Sequence, residues 1–296
     1  EPIAQAQHEP PDPPAPGAPV RKRARRPAAT PAHAEPEPLL RKPVNTLAIV
    51  PKSHKITSLA RKSYNVLLHE AQDQGLDKPV FQAPLERIIR GVDFDSNDQA
   101  LIKKHLRAMV STTVEWQSPT TGEGSSWNVS GLLAHARLSK LRGQVWVEWS
   151  YAVNLKQELL EPTVFARLSL EILSQLRSHA GIALYEICAR YKDSPGGLTS
   201  RMQPDHWTSV LREGGGLKPR EFRKFKSELL QPAMREINER TELTVELIEH
   251  RKGAVLESVQ FRVARRPAPA ALAEAVDPVD VTLPLQAAAL GIRESE

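Results

Sequence analysis

The sequence predicts an α+β chain, mainly helical, in which helices followed by a β-hairpin occur twice. The second occurrence is the clearer one, because apolar residues recur at three- and four-residue steps, as on one face of a helix. These residues are Phe222, Phe225, Leu229, Ala233 and Ile237. Residues 243–248 and 255–263 then alternate like the strands of a hairpin, with a turn at 250–253 between them.

The face of this helix opposite the apolar stripe is almost purely basic and polar. It carries Arg220, Arg223, Lys224, Ser227, Gln231 and Arg235. A basic helix before a hairpin with Arg251 and Lys252 at its turn is typical of a winged helix. Such a module places one helix in the DNA major groove and the hairpin along the phosphates. For this segment alone, the alternative is an ordinary helix packed on a hairpin, with a basic face in water.

The first half of the chain repeats the same order of elements. Helices are predicted at 58–74, at 85–89, and from a cap at 95–97 to about 110. In the third helix Ile102, Leu106 and Met109 face inward, and the opposite face carries Lys103, Lys104, Arg107 and Ser111. Strands follow at 113–116, 127–129 and 145–149. This duplication favours two tandem winged-helix domains with hairpin wings and DNA-binding basic helices.

The predicted organisation has two folded domains between two disordered tails. The parts are a Pro/Ala-rich basic N-terminal arm (1–44), a first winged-helix domain (45–160), a second winged-helix domain with the main DNA recognition (161–264), and a C-terminal tail (265–296). Residues 21–26 of the arm form a basic run. It is either a solvated charge run or an arm that contacts phosphates without sequence preference.

Between the domains, residues 154–162 are predicted to be a connector, and 165–192 to be helical in two pieces that meet near Gly181. A further short helix is predicted at 205–212. Pro232 falls inside the basic helix, where it removes the hydrogen bond to the carbonyl of Glu228. The helix is therefore predicted either to kink there or to restart with Pro232 in its first turn.

Composition and charge limit the classes of function. The net charge of +5 and the pI of about 9.3 favour a polyanionic partner. The single cysteine, Cys188, lies in an apolar pattern and is predicted to be a core residue. One thiol excludes an intrachain disulfide and fits the cytoplasm. No apolar run approaches a membrane span and no signal peptide opens the sequence, so no membrane association is expected.

The sequence contains none of the local residue patterns that mark the common catalytic sites. Residues 214–216 are glycines, but no Gly-Lys-Ser/Thr follows them, so there is no phosphate-binding Walker loop. No two histidines have metal-ligand spacing. Tyr64, Tyr185 and Tyr191 lie in apolar helical patterns and are expected in the core, and His105 is expected at the core boundary. We therefore predict no catalytic residue, no cofactor and no metal, and a DNA-binding protein rather than an enzyme.

Several segments closely resemble the initiator replication proteins of iteron-containing bacterial plasmids. They are residues 182–193, 222–226, 230–241 and 259–263, and the resemblance extends over about 45–264. The resemblance implies tandem winged helices that bind direct repeats (iterons) in double-stranded DNA at a plasmid origin. It further implies base and phosphate contacts by Arg220, Arg223 and Lys224.

The same resemblance implies further partners. A monomer would open the origin and recruit the host replication initiator and the replicative helicase. A dimer would repress the initiator's own gene, through contacts largely in the first domain. Two alternatives remain open: a two-domain transcriptional repressor without replication activity, and a plasmid nicking or mobilisation enzyme. The absence of a two-histidine metal pattern counts against the second alternative.

Overall fold

The first half folds as helices followed by hairpins, as predicted. The structure is a computed structural model that describes residues 39–47, 55–92, 99–118, 126–214 and 221–266. The elements of this half are β1 (Leu39–Pro43), α1 (Ser58–Gln74), β2 (Phe81–Pro84), α2 (Leu85–Gly91), α3 (Gln99–Ser111), β3 (Thr113–Ser118), β4 (Ser126–Gly131), β5 (His135–Leu141), β6 (Gln144–Ser150) and α4 (Val153–Leu160). Helix α1 has its predicted bounds, because the Thr57 side chain accepts a hydrogen bond from the N–H of Ala60 and caps its first turn.

The sheet of the first half is antiparallel, with the strand order β2–β6–β5. Strand β2 lies between α1 and α2 in the chain, and its Phe81 faces Trp149 of β6 in the register. Both rings are fully buried, so this pair packs the sheet against the helices. Strands β3 and β4 form a separate two-stranded hairpin. Local patterns in the sequence predict neither β2 nor β5.

The second half repeats the plan with fewer strands. Its elements are β7 (Phe165–Ser169), α5 (Leu170–Gln175), α6 (His179–Ala189), α7 (Pro204–Leu211), α8 (Phe222–Phe225), a π-helical segment (Lys226–Leu230), α9 (Gln231–Arg240), β8 (Leu243–Lys252) and β9 (Val255–Arg265). The segment between α6 and α7 bonds to β9, through Thr199 N–H to Phe261 O (2.9 Å) and Met202 N–H to Val259 O (3.0 Å). This segment occupies the position that β2 occupies against β6, so β5–β6 corresponds to the β8–β9 wing.

Two predictions for the region between the halves are wrong. Residues predicted as a connector form α4, because Leu155, Leu159 and Leu160 bury their side chains. The region predicted as two helices begins with strand β7, and the break between α5 and α6 lies at residues 176–178. Gly181 lies inside α6, where a Cβ atom would collide with the Glu236 carboxylate. Close packing, rather than a hinge, therefore accounts for glycine at this position.

The folded part begins earlier than the predicted boundary at residue 45. Strand β1 pairs antiparallel with β7, with Leu40 opposite Leu168 and Lys42 opposite Ala166. These four side chains are buried. The strand is short and follows a Pro-rich segment, so its own sequence does not indicate it. Pairing with residues more than a hundred positions away decides its structure.

Where α1 meets α6, four buried polar side chains form what we call the junction cluster: Lys42, Arg61, Asn65 and Glu186. The Glu186 carboxylate accepts hydrogen bonds from Lys42 Nζ (2.8 Å), from Arg61 Nε (2.9 Å) and from Asn65 Nδ2 (2.6 Å). Lys42 Nζ also donates to Asn65 Oδ1 at 2.9 Å. All four residues are at most 1% exposed. Three of them belong to β1 and α1 and one to α6, so the cluster joins the two halves.

The charges of the junction cluster hold Glu186 ionised. Burial by itself raises the pKa of Glu186, but the adjacent Arg61 and Lys42 outweigh it and bring the pKa to about 2. Burial lowers the pKa of Lys42 to about 8, and the Glu186 carboxylate opposes that shift. At neutral pH two cations therefore surround one carboxylate in a site without water contact. Removal of that carboxylate would leave both cations buried and uncompensated.

Candidate DNA-binding interface

The basic helix of the second half runs without interruption from Phe222 to Arg240 through the π-helical segment. The buried residues on its inner side are Phe225, Leu230, Ala233 and Ile237. The predicted stripe is partly wrong, because Leu230 rather than Leu229 is fully buried. A π turn inserts one extra residue per turn, so the stripe advances by five positions there instead of four. Leu229 is consequently only half-buried.

Pro232 lies in the first turn of α9, directly after the π turn, as the second of the two predicted solutions has it. Proline has no N–H group, so a regular α-helix would leave the Glu228 carbonyl without its donor. Within the π turn the N–H of Gln231 reaches back five residues to the carbonyl of Lys226. The backbone angles stay helical at Phe225, Lys226, Leu230 and Gln231. The basic face therefore continues without a break.

The exposed face of this helix carries most of the predicted DNA-binding residues. Arg223, Lys224, Ser227 and Gln231 are all exposed, while Arg220 lies outside the described residues. Lys224 Nζ lies 3.8 Å from Glu228, one turn later, and both side chains are about half-exposed. Such an exposed pair contributes little to stability. Arg223 and Lys224 therefore remain accessible to a DNA backbone or to base edges.

A carboxylate of the wing connects the wing to the helix. Glu249 of β8 accepts a hydrogen bond from Lys226 Nζ at 2.6 Å and pairs with Arg251 at 2.7 Å. The hydrogen bond from Lys226 holds the pKa of Glu249 below its usual range, and Arg251 adds to this effect. Arg251 is consequently partly neutralised within the protein, and the strand register shifts between His250 and Arg251. Lys252 lies nearer the tip, just before Gly253, which has a φ of 61°.

In the first half, helix α3 presents Lys103, Lys104 and Arg107 on its exposed face, as predicted. Ile102, Leu106 and Met109 are buried on the opposite side. His105 is 7% exposed, so its prediction as a boundary residue is wrong; burial lowers its pKa. Within the described part of the chain, none of the three basic residues makes an ion pair, in contrast to Lys224. Helix α3 therefore carries the less neutralised positive surface of the two helices.

Sequence patterns miss the basic residues of the first wing. The hairpin β5–β6 turns at Arg142 (φ 50°) and Gly143 (φ 84°), as in the two-residue turns with positive φ that join tight hairpins. Lys140 and Arg142 are exposed at this tip. Lys140 lies two residues before this turn, as Arg251 does before the turn of the second wing, and Arg142 takes the first turn position, as Gly253 does there. The Arg-Gly pair before an alternating strand was the available signal, but the predicted hairpin used residues 113–129 instead.

Other expectations concern chemistry away from this surface. Tyr64, Tyr185 and Cys188 are buried, which confirms them as core residues, whereas Tyr191 is half-buried. Among the residues that the structure describes, no group of histidine, cysteine and carboxylate side chains has the arrangement of a metal site. No described helix combines the length and apolar character needed to cross a membrane.

Comparison with solved structures finds several similar chains. The crystal structure of Pi initiator protein in complex with iteron DNA matches with a TM-score of 0.55 at 14% identity, over 76% of this chain and 96% of that one. A structure of domains 2 and 3 of RctB covers 72% of this chain and 84% of its own, with 14% identity and a TM-score of 0.44. A second RctB structure, spanning the same two domains, covers 70% and 82%, with 16% identity and a TM-score of 0.41. No curated protein sequence matches the chain at a significant level.

Comparison with models of protein families finds a match in each half of the chain. Residues 44–189 match the first winged-helix region (WH1) of the initiator replication proteins. Residues 211–263 match the second winged-helix region (WH2) of the same proteins. The two matches together cover more than half of the chain, and the WH1 match extends past the first repeated unit to include β7, α5 and α6. The chain therefore belongs to the initiator replication protein family.

Proposed function

We propose that this protein initiates plasmid replication by binding direct repeats in the origin DNA, sequence-specifically and through both winged helices. One observation carries the proposal: each half presents a basic helix beside a basic hairpin tip, and the junction cluster fixes the two halves relative to each other. Two such modules, set one helical turn apart, cover about two turns of DNA. The Pi initiator, which has a similar fold, is solved with iteron DNA.

In the second half, the proposed base contacts come from Arg223 and Lys224, together with Arg220 just before the described helix. Ser227 and Gln231 flank them on the exposed face. An arginine that reaches a guanine edge with two hydrogen bonds discriminates by roughly 1–3 kcal/mol. Lys252 at the wing tip contacts phosphate.

The role of Arg251 in this proposal is narrower than the sequence predicts. Its guanidinium is held by Glu249, which also holds Lys226 of the helix. This bridge sets the angle between the helix and the wing. Arg251 therefore positions the wing as well as adding positive charge near the DNA. Its replacement would disturb both functions.

In the first half, Lys103, Lys104 and Arg107 of α3 and the tip residues Lys140 and Arg142 form the second proposed contact. Because the three α3 cations lack ion-pair partners within the described ranges, their charge is available to phosphates. Each neutralised phosphate releases counterions and contributes nearly one unit to the slope of log affinity against log salt. This surface supplies affinity, and the second half supplies most of the sequence discrimination.

We further propose that the free protein is a dimer and that it binds repeats as a monomer. Strand β5 is at the edge of its sheet within the described residues, and its last residue, Leu141, is exposed. An open edge strand offers unpaired N–H and C=O groups to a second copy. Trp149 of the neighbouring strand β6 is buried against Phe81 and is therefore not available for such a contact. The dimer would repress the initiator's own gene.

The cytoplasmic partners in this proposal are the host replication initiator and the replicative helicase, recruited after the monomer opens the origin. The domain limits of 45–160 and 161–264, and the arm at 1–44, stay predictions apart from the earlier start at β1. The basic run at 21–26 would add affinity without sequence preference.

The test is a gel-shift titration on tandem repeats and on scrambled DNA, followed by permanganate probing of the adjacent AT-rich stretch. We expect preference for the repeats and unpaired thymines only when protein is bound. Specific binding without opened DNA would support the repressor alternative. Equal affinity for repeat and scrambled DNA would contradict both the initiator and the repressor function. Cleavage of one strand would favour the nicking enzyme.

A further inference from the structure

Strands β1 and β7 form a two-stranded ribbon whose outer face carries two arginines directly opposite each other. Arg41 pairs with Arg167 in the antiparallel register, and both side chains are exposed. Because strand side chains alternate, the inner face of the same ribbon carries Leu40 and Lys42, which are buried. Lys42 belongs to the junction cluster, so the ribbon is attached to both halves.

This arginine pair is unfavourable for the protein alone. The other directly opposed charges in the described ladders are of opposite sign, Arg137 with Glu148 and Glu246 with Arg262. Like charges directly opposite each other on neighbouring strands destabilise a sheet. Within the described residues, no carboxylate forms an ion pair with Arg41 or Arg167. A negative charge from outside the protein would remove this repulsion.

The ring of Phe165 holds both guanidinium groups in place. Its centroid lies 6.0 Å from the guanidinium carbon of Arg41 and 5.8 Å from that of Arg167. Phe165 is two residues before Arg167, so their side chains share the outer face. Contact with the ring reduces the conformational freedom that each arginine loses on binding a ligand. Guanidinium donors in this fixed arrangement match the oxygens of a phosphate group.

We propose that Arg41 and Arg167 bind a backbone phosphate of DNA that lies between the stretches contacted by the two winged helices. The inference rests on the proposed function, since it requires DNA along both halves. The ribbon connects the halves, and its inner face is fixed by the junction cluster, so the arginine pair has a constant position relative to both DNA-binding helices. The contact carries no sequence information and holds the spacing between the two modules.

The experiment compares the full chain with R41Q/R167Q and with the matched control R90Q/R265Q. The control also removes two exposed arginines, but each of these already pairs with a carboxylate, Glu86 or Asp193. Affinity is measured over a salt series on repeat DNA and on scrambled DNA. Repeat DNA with methylphosphonates at the phosphates between the two contacted stretches, located by hydroxyl-radical footprinting, is measured in parallel. Melting temperature reports folding.

We expect R41Q/R167Q to weaken binding to both DNAs by a similar factor, about 10-fold or more, and to lower the salt slope by about one to two units. Its melting temperature should equal or exceed that of the unchanged chain, because the repulsion is gone. The methylphosphonates should weaken the unchanged chain and have little further effect on the variant. Affinity and slope equal to those of the control, or an undiminished methylphosphonate effect in the variant, would overturn the assignment. If the unchanged chain does not prefer the repeats, the proposed function is wrong. The phosphate contact of Arg41 and Arg167 is still tested in that case, because the salt slopes of both variants are also measured on scrambled DNA.

Discussion

Replacement of Glu186 by glutamine tests the junction cluster most directly. The side chain keeps its shape but loses the charge that Lys42 and Arg61 surround, and neither cation can reach water at 0% and 1% exposure. Leaving buried charges without a partner typically costs about 3–5 kcal/mol. For a domain of this size, such a loss lowers the melting temperature by about 6–20 °C. Thermal and urea unfolding at pH 7, followed by circular dichroism, give both quantities.

Two further variants identify the cause of that loss. Glu86→Gln removes an exposed carboxylate that pairs with Arg90 one turn away, and should change stability by less than about 0.5 kcal/mol. Lys42→Met removes one cation and leaves Arg61 and Glu186 balanced. Combined with Glu186→Gln, it should cost less than the sum of the two single changes, since one uncompensated charge is gone.

The dependence of stability on pH in the acid range gives a second test of the junction cluster. The pKa of Glu186 is brought to about 2 by Arg61 and Lys42, against the opposing effect of burial. Its contribution is therefore complete above its ordinary value of 4.5 and is lost as the pH falls from 4.5 towards 2. Glu186→Gln should flatten that part of the stability curve. A variant within about 1 kcal/mol of the unchanged protein, or strict additivity with Lys42→Met, would refute the argument that the cluster joins the halves through charge.

Three other predictions concern recognition, pH and the tails. Arg223→Ala should lower the ratio of repeat to scrambled affinity by about 10-fold, whereas Lys252→Ala should weaken both equally and reduce the salt slope by about one unit; an unchanged ratio for Arg223→Ala would remove this helix from base recognition. Burial lowers the pKa of His179 to about 3, so the neutral side chain contributes its full stabilisation above pH 6.5. Below pH 6.5 the free energy of unfolding should fall by up to about 1.4 kcal/mol per pH unit. His179→Asn should remove that slope when the free energy of unfolding is measured by urea titration. A chain shortened to 39–266 should fold and keep specific binding, while one shortened to 45–264 should melt lower because it lacks β1; equal melting curves would contradict this role of β1.

Local sequence patterns were sufficient for much of the candidate interface. The apolar stripe and the Gly75 stop predict α1 with the bounds it has. The exposed positions of Lys103, Lys104 and Arg107 follow from the helical period alone. Each of these features depends on residues within a few positions of one another. The same holds for most of the hairpin β8–β9, but the predicted turn at 250–253 begins three residues too early, because residues 250–252 continue strand β8.

Long-range contacts decided the features that local patterns misplace. Strands β1 and β7 exist because each supplies the other's backbone partners. Strand β5 forms because it pairs with β6, and this pairing puts Lys140 and Arg142 at the tip of a wing.

Within the basic helix, period counting failed at one turn. The missing N–H of Pro232 is accommodated by a π turn, which moves Leu230 into the core in place of Leu229. Local chemistry shows that the proline must perturb the helix, but not how, because the packing of the inner face selects among the solutions.

The sequence by itself determined the class of this protein. Short-range periodicity and charge indicate the repeated helix–hairpin units and the basic helix faces, and the resemblance of several segments to initiator replication proteins adds the family. Only the tertiary structure decided how the units are joined. Glu186 is an ordinary acidic residue in an apolar helix by its sequence, and it is distant in the chain from Lys42 and Arg61. Its role depends on folding, which removes all three side chains from water. A buried charge without a partner is costly in free energy, so the folded chain must keep these three together.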